Sequence, residues 1–189
     1  NKVNVIKILP GGVVTAKDTA EIQLDENGEF VRNPEEDIVK VAVVERHQGT
    51  GNVACGFLKG YGIKAGAVAL SIAHDSHNII VVGVSDEEME FAVNSLIAQE
   101  GGMVLVKEGK VIESMPMPIA GLMSDQSGEW VDEKLTAIHA KAYEELGIAG
   151  DVEPVMTLCF MSLAVIPEVK LTDMGLFDVT TFSFIPVEA

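Results

Sequence analysis

Basic residues are scarce in this chain. Thirteen Lys and Arg stand against 29 Asp and Glu among 189 residues, a formal net charge of −16 at pH 7. Electrostatic binding to nucleic acid or to anionic lipid needs basic patches, so this balance argues against both as partners. Aromatic residues make up only 5% of the chain, so its core must rest on Val, Ile, Leu, Ala and Met. Cysteine is nearly absent. Cys55 and Cys159 lie far apart in apolar surroundings and are expected as two buried, reduced thiols of a cytoplasmic protein, not as a disulfide. No run of about 18 apolar residues occurs, so no spanning helix and no membrane partner is expected. No basic segment followed by an apolar stretch marks a signal peptide. The chain opens at Asn1, directly into the strand-like Val3-Asn4-Val5-Ile6, and is expected to be a processed chain or a fragment of a longer one.

What is present suits a folded core. Apolar residues make up 48% and mean hydropathy is positive, which excludes disorder. A chain of this length buries about 70% of its unfolded surface. Strand-like runs occur at Thr19 to Leu24, Ile38 to Val44, Val53 to Leu58, Val68 to Ala73, Ile79 to Val84, Met156 to Ala164 and Thr180 to Ile185. In the first, Ala20, Ile22 and Leu24 share one side, and Asn27-Gly28 then supplies a turn. Val68 to Ala73 and Ile79 to Val84 are apolar on both faces, which places them centrally in a covered sheet.

Ser85-Asp86-Glu87-Glu88 has the capping-box pattern. Behind it Met89, Ala92, Val93, Leu96 and Ile97 repeat as one buried helical face, ended by Gly101-Gly102. Glu108-Gly109 reads as a hairpin turn. A second helix is expected from about Gly128 to Leu146, with Val131, Leu135, Ile138, Ala142 and Leu146 inward and Gly147 as its stop. Strands and helices do not alternate regularly. The expected fold is therefore a single α+β domain over 1–189, with a mixed or largely antiparallel sheet of about eight to ten strands covered by two main helices.

The chain has four histidines, and two of them share its most unusual segment, His74-Asp75-Ser76-His77-Asn78. Five consecutive hydrogen-bonding side chains between two apolar strands need water, each other or a ligand, because an unpaired buried polar group costs about 1–3 kcal/mol. Three readings are open. The segment is a turn whose side chains bond its own backbone, a surface for polar recognition of a small molecule, or a metal site through His74, His77 and Asp75. Glu45-Arg46-His47-Gln48-Gly49-Thr50-Gly51-Asn52 is a second polar loop. Its glycines do not form a phosphate-binding motif, and Gly60-Tyr61-Gly62 opens no dinucleotide fingerprint. His139 reads as a helix-boundary residue, and Met115-Pro116-Met117-Pro118 as an extended connector. No serine sits in a nucleophile elbow.

Several stretches together resemble the C-terminal domain of bacterial adenine deaminase. They are Val43-Val44-Glu45-Arg46-His47-Gln48-Gly49-Thr50-Gly51, Gly56-Phe57-Leu58-Lys59-Gly60-Tyr61-Gly62 and Ala73-His74-Asp75-Ser76-His77-Asn78-Ile79-Ile80-Val81-Val82-Gly83. Pro118-Ile119-Ala120-Gly121-Leu122-Met123-Ser124, Ile166-Pro167, Lys170-Leu171-Thr172-Asp173 and Gly175-Leu176 continue the match in the family's order. The resemblance implies part of an amidohydrolase-superfamily hydrolase of purine metabolism that converts adenine and water to hypoxanthine and ammonia. The family's divalent metal (manganese, iron or zinc) sits in a (β/α)8 barrel located before this domain and assists the hydrolysis.

This chain lacks the H-x-H pair that begins such a metal set, lacks the H-x-E and P-C-x-x-C signatures of the other deaminases, and is shorter than a barrel of about 250 residues. The resemblance thus implies no catalytic residue and no metal ligand here. It implies instead an accessory domain whose partners are the barrel of the same enzyme and further copies in a homo-oligomer, with adenine as substrate of the whole. Arg46, His47, His74, Asp75, Ser76, His77 and Asn78 are then the candidates for substrate binding or the active-site mouth. The alternative is a free-standing binding or assembly module derived from that domain and without activity. The purified 189-residue chain is expected not to deaminate adenine with added manganese, zinc or iron. Hypoxanthine formation above contaminant level would overturn that expectation.

Overall fold

The structure is a computed structural model and describes residues 1–189. The apolar, β-branched runs pair into an eight-stranded sheet. Its strands are β1 (Lys2–Ile8), β2 (Thr15–Glu21), β5 (Ile38–Val44), β6 (Val53–Lys59), β7 (Ala67–Leu70), β8 (Ile79–Gly83), β9 (Gly102–Lys107) and β10 (Lys110–Pro116). Their spatial order is β10-β9-β7-β8-β5-β6-β1-β2, so β7 and β8 are central, as their two-sided apolar sequences require. Every pair is antiparallel except β1 with β6, which is parallel. The α+β fold with a mixed, largely antiparallel sheet is the one expected.

Strand alternation divides the core in two. Val39, Val41, Val43, Val68, Leu70, Ile80, Val82, Met103 and Leu105 face one side and build a core of 29 buried residues. The helix α2 (Gly128–Glu144) closes this side with Ile138 and Ala142, and Leu146 follows just behind it. Ala42, Ala67, Ala69, Ile79, Val81, Val104 and Val106 face the other side, where α1 (Asp86–Ala98) adds Met89, Ala92 and Leu96. The alanines let α1 approach closely. Gly83 does the same: a Cβ there would come 2.7 Å from Met89 Cγ and 2.8 Å from Ala67 Cβ.

The local signals formed largely as read. The Ser85 hydroxyl accepts from the Glu88 amide at 3.3 Å. The reciprocal half of the capping box is absent, because Glu88 instead accepts from the Glu108 amide at 2.6 Å and so ties α1 to the β9–β10 turn. In that turn Glu108 and Gly109 have φ of 53° and 67°, the pair of positive values that a tight hairpin turn needs. Gly147 follows α2 at φ 71°. Asn27-Gly28 joins β3 (Gln23–Leu24) to β4 (Phe30–Val31).

Other expectations need correction. Met156 to Ala164 is not a strand but α3 (Met156–Cys159) followed by turns. Val155, Leu158 and Cys159 are buried at helical i, i+3, i+4 spacing, and the Glu153 carboxylate captures the Met156 amide to start the turn. Thr180 to Ile185 shrinks to β13 (Ser183–Phe184), because Asp178 accepts from the Thr180 and Thr181 amides and turns the chain. Three strands were not anticipated: β4, which pairs with β3, and β11 (Val169–Thr172) and β12 (Gly175–Asp178), which join β13 in a small sheet.

β7 stops at Leu70 instead of Ala73, β2 starts at Thr15, and Leu24 is exposed. Ile97, expected inward, is 56% exposed and Val93 half-buried: Ile97 lies about 100° round the helix from Leu96. Both cysteines are free, but only Cys159 is buried. Cys55 is exposed because α1 leaves part of its face of β5 and β6 uncovered, in an open groove lined by Val44, Val53, Cys55, Met89 and Val93. Leu96 lies fully buried against the alanine-lined face, so Leu96→Ala should cost about 2–5 kcal/mol in urea unfolding. A loss below roughly 0.5 kcal/mol, the size of an ordinary surface change, would place Leu96 outside the core.

Candidate functional site

Val44 pairs with Ile79, so the end of β5 lies beside the start of β8. That register brings the loop after β5 against the loop before β8. The polar segments 45–52 and 74–78, far apart in sequence, therefore share one end of the sheet.

Glu45 organises the first loop. One carboxylate oxygen accepts from the amides of His47 (2.6 Å) and Gln48 (2.8 Å), and the other from the amide and hydroxyl of Thr50 (both 3.0 Å). These donors, the Thr50 and Gln48 amides foremost, draw its pKa from 4.5 to about 2. The next two side chains cross to the second loop. Arg46 Nε donates to the His77 carbonyl at 2.5 Å and Nη2 to the Ala120 carbonyl at 2.8 Å. The Arg46 amide donates to Asn78 Oδ1 at 3.2 Å, and Asn78 itself is 4% exposed. His47 Nε2 lies 2.6 Å from the Ser76 carbonyl. Arg46, His47 and Asn78 thus contact backbone of this chain, and they fix the segment that carries His74, Asp75, Ser76 and His77.

Asp75 and Ser76 project into solvent, while His74 and His77 are half-buried. The His74 ring rests 4.9 Å from Phe160 and 5.0 Å from the His77 ring, centroid to centroid. Burial, with the neighbouring His74 and Arg46 charges, lowers the His77 pKa below 6.5 against the opposing pull of Asp75. Its imidazole is therefore neutral at pH 7, with one ring nitrogen an N–H donor and the other an acceptor. His77 Nδ1 is buried and has no hydrogen-bond partner.

Within the 74–78 loop the only side-chain bond to its own backbone is a long one, Asn78 amide to Ser76 Oγ at 3.5 Å, and the His77 amide bonds back to the Ala73 carbonyl at 2.7 Å. No group of three His, Cys, Asp or Glu side chains in the chain is arranged to hold a metal ion. His77 Nδ1 stays unpaired in the same loop as the exposed Asp75 and Ser76. His139 lies elsewhere, half-buried, and ties α2 to Glu153. Met115 and Met117 of the extended connector are buried.

The residue-by-residue reading missed the third component, the segment 118–123. The buried Ser71 hydroxyl donates to the Gly121 carbonyl at 2.6 Å and accepts from the Gly102 amide at 2.7 Å. A Cβ at Gly101 would lie 2.7 Å from Gly121 Cα, so two backbones touch there. The available signal was a lone serine inside the apolar run Val68 to Ala73, with glycines at 101, 102 and 121 able to approach it.

The family model for the adenine deaminase C-terminal domain matches residues 12–183. The chain is 69% identical over 186 residues to adenine deaminase 2 of Desulfotalea psychrophila, covering 98% of this chain and 32% of that protein. It is 50% identical over 188 residues to an adenine deaminase of Ligilactobacillus salivarius, covering 100% of this chain and 32% of the relative. An adenine deaminase 2 of Carboxydothermus hydrogenoformans is 48% identical over 187 residues, again 99% and 32%. The chain thus spans about a third of the length of the curated relatives it matches.

The folded pKa of Glu45 lies below its ordinary value, so its contribution to loop order is complete above pH 4.5 and is lost as pH falls toward 2. The Glu45 carboxyl carbon, followed by NMR, should titrate with a midpoint near 2, and the Gln48 and Thr50 amide signals should move with it. A midpoint at the ordinary 4.5 would show that the carboxylate does not organise the loop.

Proposed function

The chain belongs to the adenine deaminase C-terminal domain family, and from that premise we propose that it is the accessory domain of an enzyme converting adenine and water to hypoxanthine and ammonia. In this reading the 189 residues act as one domain of a cytoplasmic, homo-oligomeric protein. The divalent metal, manganese, iron or zinc, belongs to a (β/α)8 barrel in the part of the protein that this chain does not cover. The residues present do not fit such a metal, since no three-ligand cluster exists here, and no chemical step is assigned to them through it.

The observation that carries the proposal is the 74–78 loop, whose backbone is pinned from another segment while the side chains of Asp75 and His77 make no hydrogen bond within the chain. Within this reading the loop lies at the mouth of the active site, facing the barrel. His77 offers a neutral imidazole with an unpartnered, buried Nδ1. Adenine presents ring-nitrogen acceptors and an amino donor, and the other ring nitrogen of His77, Nε2, can meet one of them as donor or acceptor according to its tautomer. Asp75 and Ser76, both exposed, supply a further acceptor and a hydroxyl at the lip. Their task is to orient the base and close the site to water, a positional contribution that needs no proton transfer.

In the full-length enzyme His77→Ala should lower kcat/KM for adenine with metal content unchanged. A tenfold loss would correspond to about 1.4 kcal/mol of transition-state stabilisation. Unchanged kinetics would reduce the loop to a structural role, and loss of metal would point to ligation instead.

A further inference from the structure

We infer that Arg46 is a positioning residue that joins the 74–78 loop and the 118–123 segment into one rigid face, acting through their backbones without touching a substrate. The inference rests on the reading of the loop as an active-site mouth.

Arg46 lies between two carbonyls that belong to strained residues. His77 has φ 54° and Ala120 has φ 59°, values that residues with a Cβ rarely adopt unless their surroundings hold them there. The two carbonyls converge on one guanidinium, His77 on Nε and Ala120 on Nη2. A planar guanidinium has its donors in a fixed fork, so binding both carbonyls sets the distance and angle between the two segments. The Arg46 amide adds a third tie through Asn78.

The 118–123 segment is gripped from its other side as well. Ser71 donates to the Gly121 carbonyl, next in sequence to the Ala120 carbonyl that Arg46 holds. A Cβ at Gly121 would come 3.1 Å from Arg46 Nη2, so the guanidinium packs directly on this backbone. The clamped segment carries Ile119 and Met123, paired across a β-bridge and 45% and 58% exposed. Arg46 thereby fixes an apolar pair relative to the polar side chains of the 74–78 loop. The alternative role for an arginine at a site mouth, direct contact with a substrate, is disfavoured because its Nε and Nη2 are already committed to this chain.

The test uses the full-length enzyme. The Leu122 and Met123 amides bond to the Ile119 carbonyl at 3.0 and 3.2 Å, and the His77 amide to the Ala73 carbonyl at 2.7 Å. In Arg46→Ala these amides should exchange with solvent about tenfold faster, while those of β5 and β8 keep their protection. Arg46→Lys, which offers one ammonium in place of the fork, should show the same loosening to a smaller degree. Arg46→Ala and His77→Ala should each lower kcat/KM for adenine, and the double variant should lose no more than the larger single loss, because Arg46 acts through the loop that bears His77.

Additive losses overturn the inference, since a general structural role would give them. Wild-type exchange in both Arg46 variants also overturns it. A silent His77→Ala overturns the mouth reading alone, and the exchange result still decides whether Arg46 clamps the two segments.

Discussion

A backbone that leaves a sheet must find partners for the amides and carbonyls the ladder no longer pairs, and at the ends of β5 and β8 three consecutive side chains supply them. Glu45 gathers donors from its own loop, and Arg46 and His47 take up carbonyls of the neighbouring loop. Buried or half-buried main-chain groups are almost always paired, and here the pairing also decides which side chains remain free. The segment 74–78 spends neither Asp75 nor His77 on its own turns, and Ser76 makes only a long bond there to the Asn78 amide.

The same logic explains why the loop can be both polar and well placed. β7 and β8 are buried along their whole length, so the points where the chain leaves and re-enters the sheet are held by the two cores. Side chains anchored on such strand ends keep their geometry better than those on a free loop. Charge is arranged to match. The chain carries −16 overall, yet the acids nearest the site are engaged or exposed: Glu45 is occupied by four donors, and Asp75 faces solvent. The half-buried imidazole of His77 has Arg46 as its cationic neighbour, and with burial this favours its neutral form.

Much of this architecture was legible from residues alone. Ile38 to Val44 became β5 without change, the two-sided apolar runs became the central strands, and Ser85, Gly109 and Gly147 marked helix and hairpin boundaries. These signals are local, carried by residue periodicity and by glycine or serine at positions with special backbone demands. What failed was decided at a distance. The run at Met156 to Ala164 is apolar enough for a strand, and only the Glu153 carboxylate and the packing of Val155, Leu158 and Cys159 turn it into helix. The small sheet β11–β12–β13 depends on Asp178 capturing two amides and on Lys17 reaching that carboxylate across 161 residues of sequence. Neither contact leaves a trace in periodicity.

The site shows the same division. The polarity of 74–78 announced a functional candidate, and its nearness to Arg46 and His47 was expected. What those two residues do was not readable, because their partners are carbonyl groups, which every residue carries and no sequence pattern distinguishes. The segment 118–123 was hidden for the same reason: it joins through the carbonyls of Ala120 and Gly121 and through backbone contact at Gly101. An arginine beside two histidines therefore invites a reading as a ligand-binding cluster, although its geometry makes it a brace.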